Sequence, residues 1–540
     1  MKCKGKDAVI PRPATENVKS GDSQKPKNRG LSPRPKLTRT TFKTSREMDF
    51  FSARELITQT GHAVAEWPLV IAKELIDNAL DACEEADIAP IIDVTADRTG
   101  ITVRDNGPGL PKETLASALD FTIRASSREA YVSPTRGAQG NALKTLFPMP
   151  WVVDPEQGRM IVVTGGKRHV ITCGCDPISQ RAVVHDDVTD APKCKKRTLA
   201  GGKRKQGLSS CGTEIRIEWG ERTTVRRIHR RKANGNWVAE EVRTVEWPFG
   251  LCPLGTRGHG WSFADQLRQL VEGFAMLNPH AAITLNWFGN SFAWQATDTT
   301  WEKWKPSKPT SPHWYEQRHL ERLIGAYVTH DREHGQDRLV SDFIAEFDGL
   351  AGSQKRSKVL TDTDLHRAPL SSLVDDNRFD AARIAALLGA MQKHSRPVKS
   401  KRLGIIGEDH LRERLLAMGI HPPSFQYRKQ LSKDGLPGVL ESAFGWLGED
   451  ANDSRRIYTG ANWSAAIKNP FRSFGGTGEG LERTLAEMRA TSNEPIVFVL
   501  HLAHPRIEFT DRGKSALLMD EQEHNEQDSN DDNQGWEDDE

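Results

Sequence analysis

Residues 67–85 read WPLVIAKELIDNALDACEE. The only proline stands at the second position and no glycine interrupts the run, so the stretch predicts a helix of about four turns or more. Leu69, Ala72, Ile76, Leu80 and Cys83 recur at helical spacing and form an apolar stripe. Glu74, Asp77, Asn78 and Asp81 gather on the opposite side, and that side reads as free of lysine and arginine. A solvated helix face normally mixes signs so that residues four apart pair. An unmixed acidic patch is either an ordinary wet face or a place where a cation sits. In the second case Asn78 offers a neutral oxygen to a hard magnesium ion, and Glu74, one turn earlier, is placed to take a proton from water.

Downstream, Ile91 to Asp97 and Ile101 to Arg104 predict two strands joined by the turn Arg98-Thr99-Gly100. The second runs into Asp105-Asn106-Gly107-Pro108-Gly109, where glycines admit close approach of a flat ligand and the aspartate can accept a hydrogen bond from an exocyclic amine. A plain Asx turn is the alternative. A third piece, Thr135-Arg136-Gly137-Ala138-Gln139-Gly140-Asn141-Ala142, precedes a helix-like Leu143 to Phe147. Glycines ahead of a helix leave amides free to hold phosphate oxygens.

The order and spacing of these three pieces resemble the GHKL ATPase superfamily, and most of all the B subunit of DNA topoisomerase VI. The resemblance implies an α+β protein: a Bergerat-type α/β sandwich, a helix-two-turn-helix insert and an α/β transducer domain. It implies ATP and Mg2+ as ligands, with Glu74 as general base, Asn78 as magnesium ligand and Asp105 as adenine reader. Arg136, Gly137, Gln139 and Gly140 then form the phosphate lid, with further contacts from Asp81, Gly107, Gly109, Asn141 and Lys144. Gly212-Thr213 matches the GT pair that lies under the adenine, which gives Thr213 that role. One departure concerns the lid: the family continues with an apolar residue and a glycine, where this chain has Asn141 and Ala142. If Ala142 cannot adopt the glycine conformation, closure or hydrolysis is weakened.

The 540 residues are enough for several domains, and the net charge of +2 gives no global bias toward nucleic acid. No apolar run reaches membrane-spanning length, so the expectation is a soluble, cytoplasmic protein, nucleoid-associated in a prokaryote. Seven cysteines argue against a disulfide framework. Cys173, Cys175, Cys194 and Cys211 bracket a basic, glycine-rich insertion from Asp176 to Ser210, and a zinc clasp there stays open despite a poor CxC spacing.

Residues 1–44 carry twelve lysines and arginines against three acids, and 520–540 carry eleven acids and no lysine or arginine. Both are expected to be disordered tails. The ATPase domain is expected over 45–300, with strands around Trp151 to Val153, Met160 to Thr164 and after Gly212, and a helix from Trp261 to Leu277. A linker and helical module follow over 301–372, in which Gly352 to Lys358 forms a basic turn suited to phosphate contact, or simply a solvated loop.

From 373 to 519, the blocks at Leu403 to Glu408, Ala461 to Lys468 and Val497 to Arg506 follow the order of the topoisomerase VI transducer. That resemblance implies a lysine that senses the γ-phosphate, with Lys468 first and Lys514 second. It also implies DNA as a partner, a homodimer formed on ATP binding, and a separate tyrosine-bearing, Toprim-containing A-type subunit. None of this chain's five tyrosines stands in a cleavage motif. A sensor kinase lacks room for its phosphoacceptor helices before Trp67, and a chaperone or mismatch-repair ATPase would lack the helical insert. A DNA-bridging protein with ATP as a structural ligand stays open.

Overall fold

The computed structural model describes residues 47–121, 130–136, 142–176, 178–179, 181–191, 212–220, 222–231, 237–246, 263–287, 289–375, 378–432, 436–448, 455–472, 480–510, 516–518 and 536–538. These residues belong to one unit spanning Ser45–Glu540.

The N-terminal part opens with α1 (Ala53–Thr60), capped by the Ser52 hydroxyl, and α2 (Trp67–Glu85), which carries its proline at the start. Strands β1 (Ile91–Ala96) and β2 (Gly100–Arg104) follow, then short helices α3 (Lys112–Leu119), α4 (Ala142–Leu146) and α5 (Met149–Val153). Next come β3 (Arg159–Thr164), β4 (Lys167–Asp176), β5 (Arg181–Asp190), β6 (Glu214–Glu218) and the hairpin β7 (Arg222–Arg231) and β8 (Trp237–Glu246). Helix α6 (Phe263–Leu277) and strands β9 (Ala282–Trp287) and β10 (Asn290–Trp294) close the part. Eight strands form one sheet in the order β10-β9-β1-β2-β6-β3-β4-β5. All neighbours pair antiparallel except β1 and β9. The alternation in β1 sends Ile92, Val94 and Ala96 into the core beneath α2 and α6.

The middle part is helical: α7 (Gln317–Glu333), α8 (Val340–Ala345), α9 (Ser353–Thr363), a two-residue ladder of β11 (Val374–Asp375) and β12 (Arg378–Phe379), and α10 (Ala381–His394). The last part holds α11 (Glu408–Ala417), β13 (Gln426–Ser432), β14 (Val439–Trp446), β15 (Arg456–Ala461), β16 (Ser464–Ala465), α12 (Leu481–Glu487), β17 (Ile496–Ala503) and β18 (Trp536–Asp538). Its six strands run β16-β15-β17-β14-β13-β18.

Helix α6 lies between the two sheets, packing on β9 on one side and on β15 and β16 on the other. Its apolar residues Leu267, Leu270, Val271, Phe274, Met276 and Leu277 are accordingly all buried. Contact with the second sheet is close: a Cβ at Gly273 would meet the Ala465 methyl at 3.2 Å, and one at Gly460 would meet Leu277 at 2.2 Å. One apolar core therefore runs through all three parts.

Several expectations are corrected. Trp151 to Val153 are helical, because Pro150 sits in the first turn of α5, where its missing N–H leaves no bond unmade. The basic residues Lys355, Arg356 and Lys358 lie on the first turns of α9 and not in a turn before it. The insertion after Asp176 begins with the edge strand β5, and residues 222–231 and 237–246 pair with each other outside the main sheet. Three residues of the acidic tail, 536–538, pair with β13 and so depart from the expectation of a tail without structure. Cys194 and Cys211 lie outside the described residues. Among the described residues no helix is long and apolar enough to cross a membrane.

Candidate nucleotide site

The acidic helix α2 is the floor on which the other segments meet. The loop after β2 lies against it at Cys83: a Cβ at Gly107 would stand 3.3 Å from the Cys83 sulfur and 3.0 Å from Asp105 Oδ1. Asp105 is buried, and its Oδ1 accepts the amides of Gly107 at 2.7 Å and Thr213 at 3.1 Å. Among the described residues nothing bonds Oδ2, which leaves that oxygen as an acceptor. Burial pushes the Asp105 carboxyl above its ordinary value, against the pull of the two amides. Two glycines make this geometry possible. Gly212 has φ +64° and a Cβ there would lie 2.0 Å from the Asp105 carbonyl oxygen, while Gly109 has φ +96° and closes on the Thr164 hydroxyl. Thr164 Oγ1 in turn accepts the Leu110 amide at 2.7 Å.

Arg136 docks on the same helix from the other side. It is buried, with Nη1 2.8 Å from Asp81 and 2.6 Å from Glu84, and Nη2 2.7 Å from Glu84 and 2.5 Å from Asn278. Lys303 adds a second cation 3.0 Å from Glu84, and His280 Nε2 lies 3.0 Å from it. Burial works to raise the Glu84 carboxyl, but Arg136, Lys303 and His280 outweigh it and hold the group well below its ordinary value.

The polar side of α2 is also not free of cations from its own helix. Lys73 Nζ lies 2.9 Å from Asp77, four residues on, and 3.4 Å from Glu74. Those two carboxylates outweigh the burial of Lys73 and raise its pKa. The deeper carboxylates are thus paired with protein cations, while Glu74 stays part-exposed and Asn78 exposed.

The remaining expected residues sort plainly. Thr213 is buried beside Asp105, and Lys144 is buried on α4 with Nζ donating to the Asp120 carbonyl at 2.6 Å. Gly137, Gln139, Gly140, Asn141 and Lys514 lie outside the described residues. Ala142 opens α4 with helical backbone. Lys468 pairs with Glu66 at 2.8 Å, ahead of the first turn of α2. Sequence reasoning missed Lys73, Glu84, Asn278, His280 and Lys303. The spacing of Lys73 and Asp77 is a usable signal; Glu84 sits on the same helix, whereas Asn278, His280 and Lys303 reach it from distant parts of the chain.

The donor set fits a magnesium nucleotide. Magnesium keeps most of its waters and is held through one or two protein oxygens plus phosphates, so no protein cage is needed.

All five tyrosine hydroxyls are committed internally. Tyr131 bonds Tyr327, which bonds Glu346; Tyr315 accepts the Val132 amide; Tyr427 bonds Glu441 and Tyr458 bonds Glu272. Burial raises the pKa of each, that of Tyr315 to about 12.

Residues 64–145 match the family of histidine kinase-, DNA gyrase B- and HSP90-like ATPases. The chain carries a GHKL-type ATPase domain. The B subunit of a type 2 DNA topoisomerase 6 from Archaeoglobus fulgidus is 24% identical over 468 residues, which cover 83% of this chain and 66% of that protein. Its counterpart from Methanosarcina mazei is 40% identical over 77 residues, 13% of this chain and 12% of its own length. The chain therefore spans just under two thirds of the first relative. Among solved structures, the ATPase region of Saccharomyces cerevisiae topoisomerase II aligns over 84% of this chain and 79% of its own at 12% identity and a TM-score of 0.32. The GHKL-type match covers α2, the Asp105 loop and the approach to α4, which are the segments that converge in space.

Proposed function

We propose that this chain binds and hydrolyses ATP as the B-type subunit of a topoisomerase VI-like complex, with ATP-driven dimerisation working as a DNA gate. The observation that carries the reading is the convergence of the Asp105 loop and the Arg136 lid root on one acidic helix. In this reading the ATPase domain covers 45–300, the helical module 301–372 and the transducer 373–519.

Asp105 Oδ2 accepts the exocyclic amine of the base, and Thr213 fixes Oδ1 so that the acceptor points one way. Asn78 would hold a magnesium ion through its amide oxygen, and Gly137, Gln139 and Gly140, by the family resemblance, would hold phosphate oxygens. Bound magnesium supplies Lewis-acid neutralisation of phosphate charge. Glu74 takes a proton from water, a role that its partial exposure and the nearby Lys73 ammonium support. The commitment of every tyrosine hydroxyl supports assigning DNA cleavage to an A-type partner. The basic start of α9 supports a phosphate-backbone contact by the helical module.

The test is magnesium-dependent ATP turnover alongside calorimetric nucleotide binding. Glu74→Ala is expected to abolish phosphate release and keep binding. A wild-type chain with no affinity for adenine nucleotides would refute the reading.

A further inference from the structure

The C-terminal sheet reaches α2 through a turn that the nucleotide site does not account for. Strands β15 and β16 are joined by Asn462 and Trp463, with φ of 47° and 63°. Left-handed backbone strains a bulky side chain and persists only where its surroundings hold it. Here they do. Trp463 is fully buried; its amide donates to His501 Nε2 at 3.0 Å, and its carbonyl accepts Asn278 Nδ2 at 3.0 Å and Arg136 Nε at 3.4 Å. Asn462 Nδ2 donates to the Thr135 carbonyl at 3.4 Å, and Asn462 Oδ1 accepts the His504 amide at 2.9 Å. Ser464 Oγ then donates to Asp77 Oδ2 at 2.7 Å.

Asp77 Oδ2 is shared. The same oxygen holds Lys73 at 2.9 Å, and Lys73 reaches Glu74 at 3.4 Å. A hydroxyl from the second sheet therefore shares with Lys73 the carboxylate oxygen beside the proposed general base. On the far side, His501 lies 3.8 Å from the buried Glu441, which accepts the Ile406 and Gly407 amides at 2.9 Å and the Tyr427 hydroxyl at 2.8 Å. Lys468, by contrast, pairs with Glu66, eight residues before Glu74 and about 12 Å along a helix at 1.5 Å per residue.

We propose that Ser464 is a positioning residue for ATP hydrolysis: by occupying part of Asp77 it leaves Lys73 in reach of Glu74, and the strained Asn462-Trp463-Ser464 turn carries the state of the nucleotide site into the six-stranded sheet. The inference rests on the reading of Glu74 as general base. Withdrawal of the turn leaves Asp77 Oδ2 to Lys73, with Arg136 Nε 3.9 Å from Oδ1, and draws the lysine off Glu74. The buried Trp463 carbonyl, bonded to Arg136 and Asn278, ties the same movement to the lid root.

The experiment compares Ser464→Ala and Ser464→Thr with the wild-type chain by steady-state ATP turnover and by hydrogen exchange with and without a non-hydrolysable ATP analogue. Loss of one hydrogen bond to a charged group predicts a fall in kcat of about fivefold or more for Ser464→Ala, with KM within about twofold. The threonine variant, which keeps the hydroxyl, restores most of it. In the wild type the analogue slows exchange both at 105–109 and in the 456–465 hairpin; in Ser464→Ala the protection at 105–109 persists and that of the hairpin is lost. If Ser464→Ala keeps wild-type kcat, or if the hairpin never responds to nucleotide while 105–109 does, the inference fails and the nucleotide reading stands. If 105–109 gains no protection in the wild type, both fail. Should the alanine variant not fold, a threonine variant with a wild-type hairpin response supports the inference, and one without that response overturns it.

Discussion

Replacing Arg136 by methionine tests the architecture of the site. The guanidinium is buried and makes three hydrogen bonds to Asp81 and Glu84, a fourth to Asn278 and a longer one to the Trp463 carbonyl. At an effective dielectric near 20, one ion pair at 2.8 Å carries about 6 kcal/mol of attraction, most of it offset by desolvation. Removing one partner of such a pair nonetheless costs about 3–5 kcal/mol, because the other charge is left buried. Lys303, 3.0 Å from Glu84 and 3.9 Å from Asp81, compensates in part, so the expected loss is near the lower figure. The pH dependence follows from Glu84. Its folded pKa is depressed below the ordinary 4.5, so the stability it contributes is present above that value and lost as pH falls through the folded one. Arg136→Met releases that depression, so the gap between wild type and variant is widest near neutral pH and narrows in acid. Thermal melting from pH 7 down to pH 4 measures it. Adding Glu84→Gln should recover part of the loss by removing the orphaned charge. A single variant that loses less than about 1 kcal/mol, or a gap that does not change with pH, would refute the argument that this cluster is a buried ion network.

Gly212→Ala forces a Cβ to within 2.0 Å of the Asp105 carbonyl oxygen at a φ that alanine resists, so nucleotide affinity should fall tenfold or more in calorimetry. Lys468→Ala breaks a part-exposed pair with Glu66 and should change stability by less than about 1 kcal/mol while abolishing nucleotide-dependent dimerisation; dimerisation that survives would remove Lys468 as the sensing lysine. His410 is held neutral, with Nε2 donating to the Met276 carbonyl and Nδ1 facing the Thr297 hydroxyl, and burial lowers its pKa to about 4. The unfolded chain binds that proton first, so stability should drop by about 3 kcal/mol as pH falls from 6.5 to 4, and His410→Gln should flatten that slope in chemical denaturation.

The parts of the site legible in the sequence are those encoded by local spacing. A single proline at the start and an apolar stripe specify α2, and the two strands with their intervening turn follow from alternation and the Arg98-Thr99-Gly100 punctuation. The error over Trp151 to Val153 has a local cause as well, since three consecutive strand-favouring residues mask the helix-starting signal of Pro148 and Pro150. The charge state of α2 is not legible, because it is set by groups far away in sequence. Asp81 and Glu84 meet Arg136 more than 50 positions later, Glu84 also meets His280 and Lys303, and Asp77 meets Ser464, 387 positions on. A carboxylate patch on one helix has the same sequence signature whether a magnesium ion, a lysine four residues away or an arginine from another segment neutralises it. The structure separates the cases by depth. Asp77, Asp81 and Glu84 are buried and answered by protein cations, whereas Glu74, which Lys73 also reaches, and Asn78 lie nearer solvent. The inner carboxylates of the acidic helix thus hold Arg136 and the C-terminal sheet, and the proposed function assigns the nucleotide to Glu74 and Asn78. Asp81→Asn should therefore act on folding first, and Asn78→Ala on nucleotide binding first.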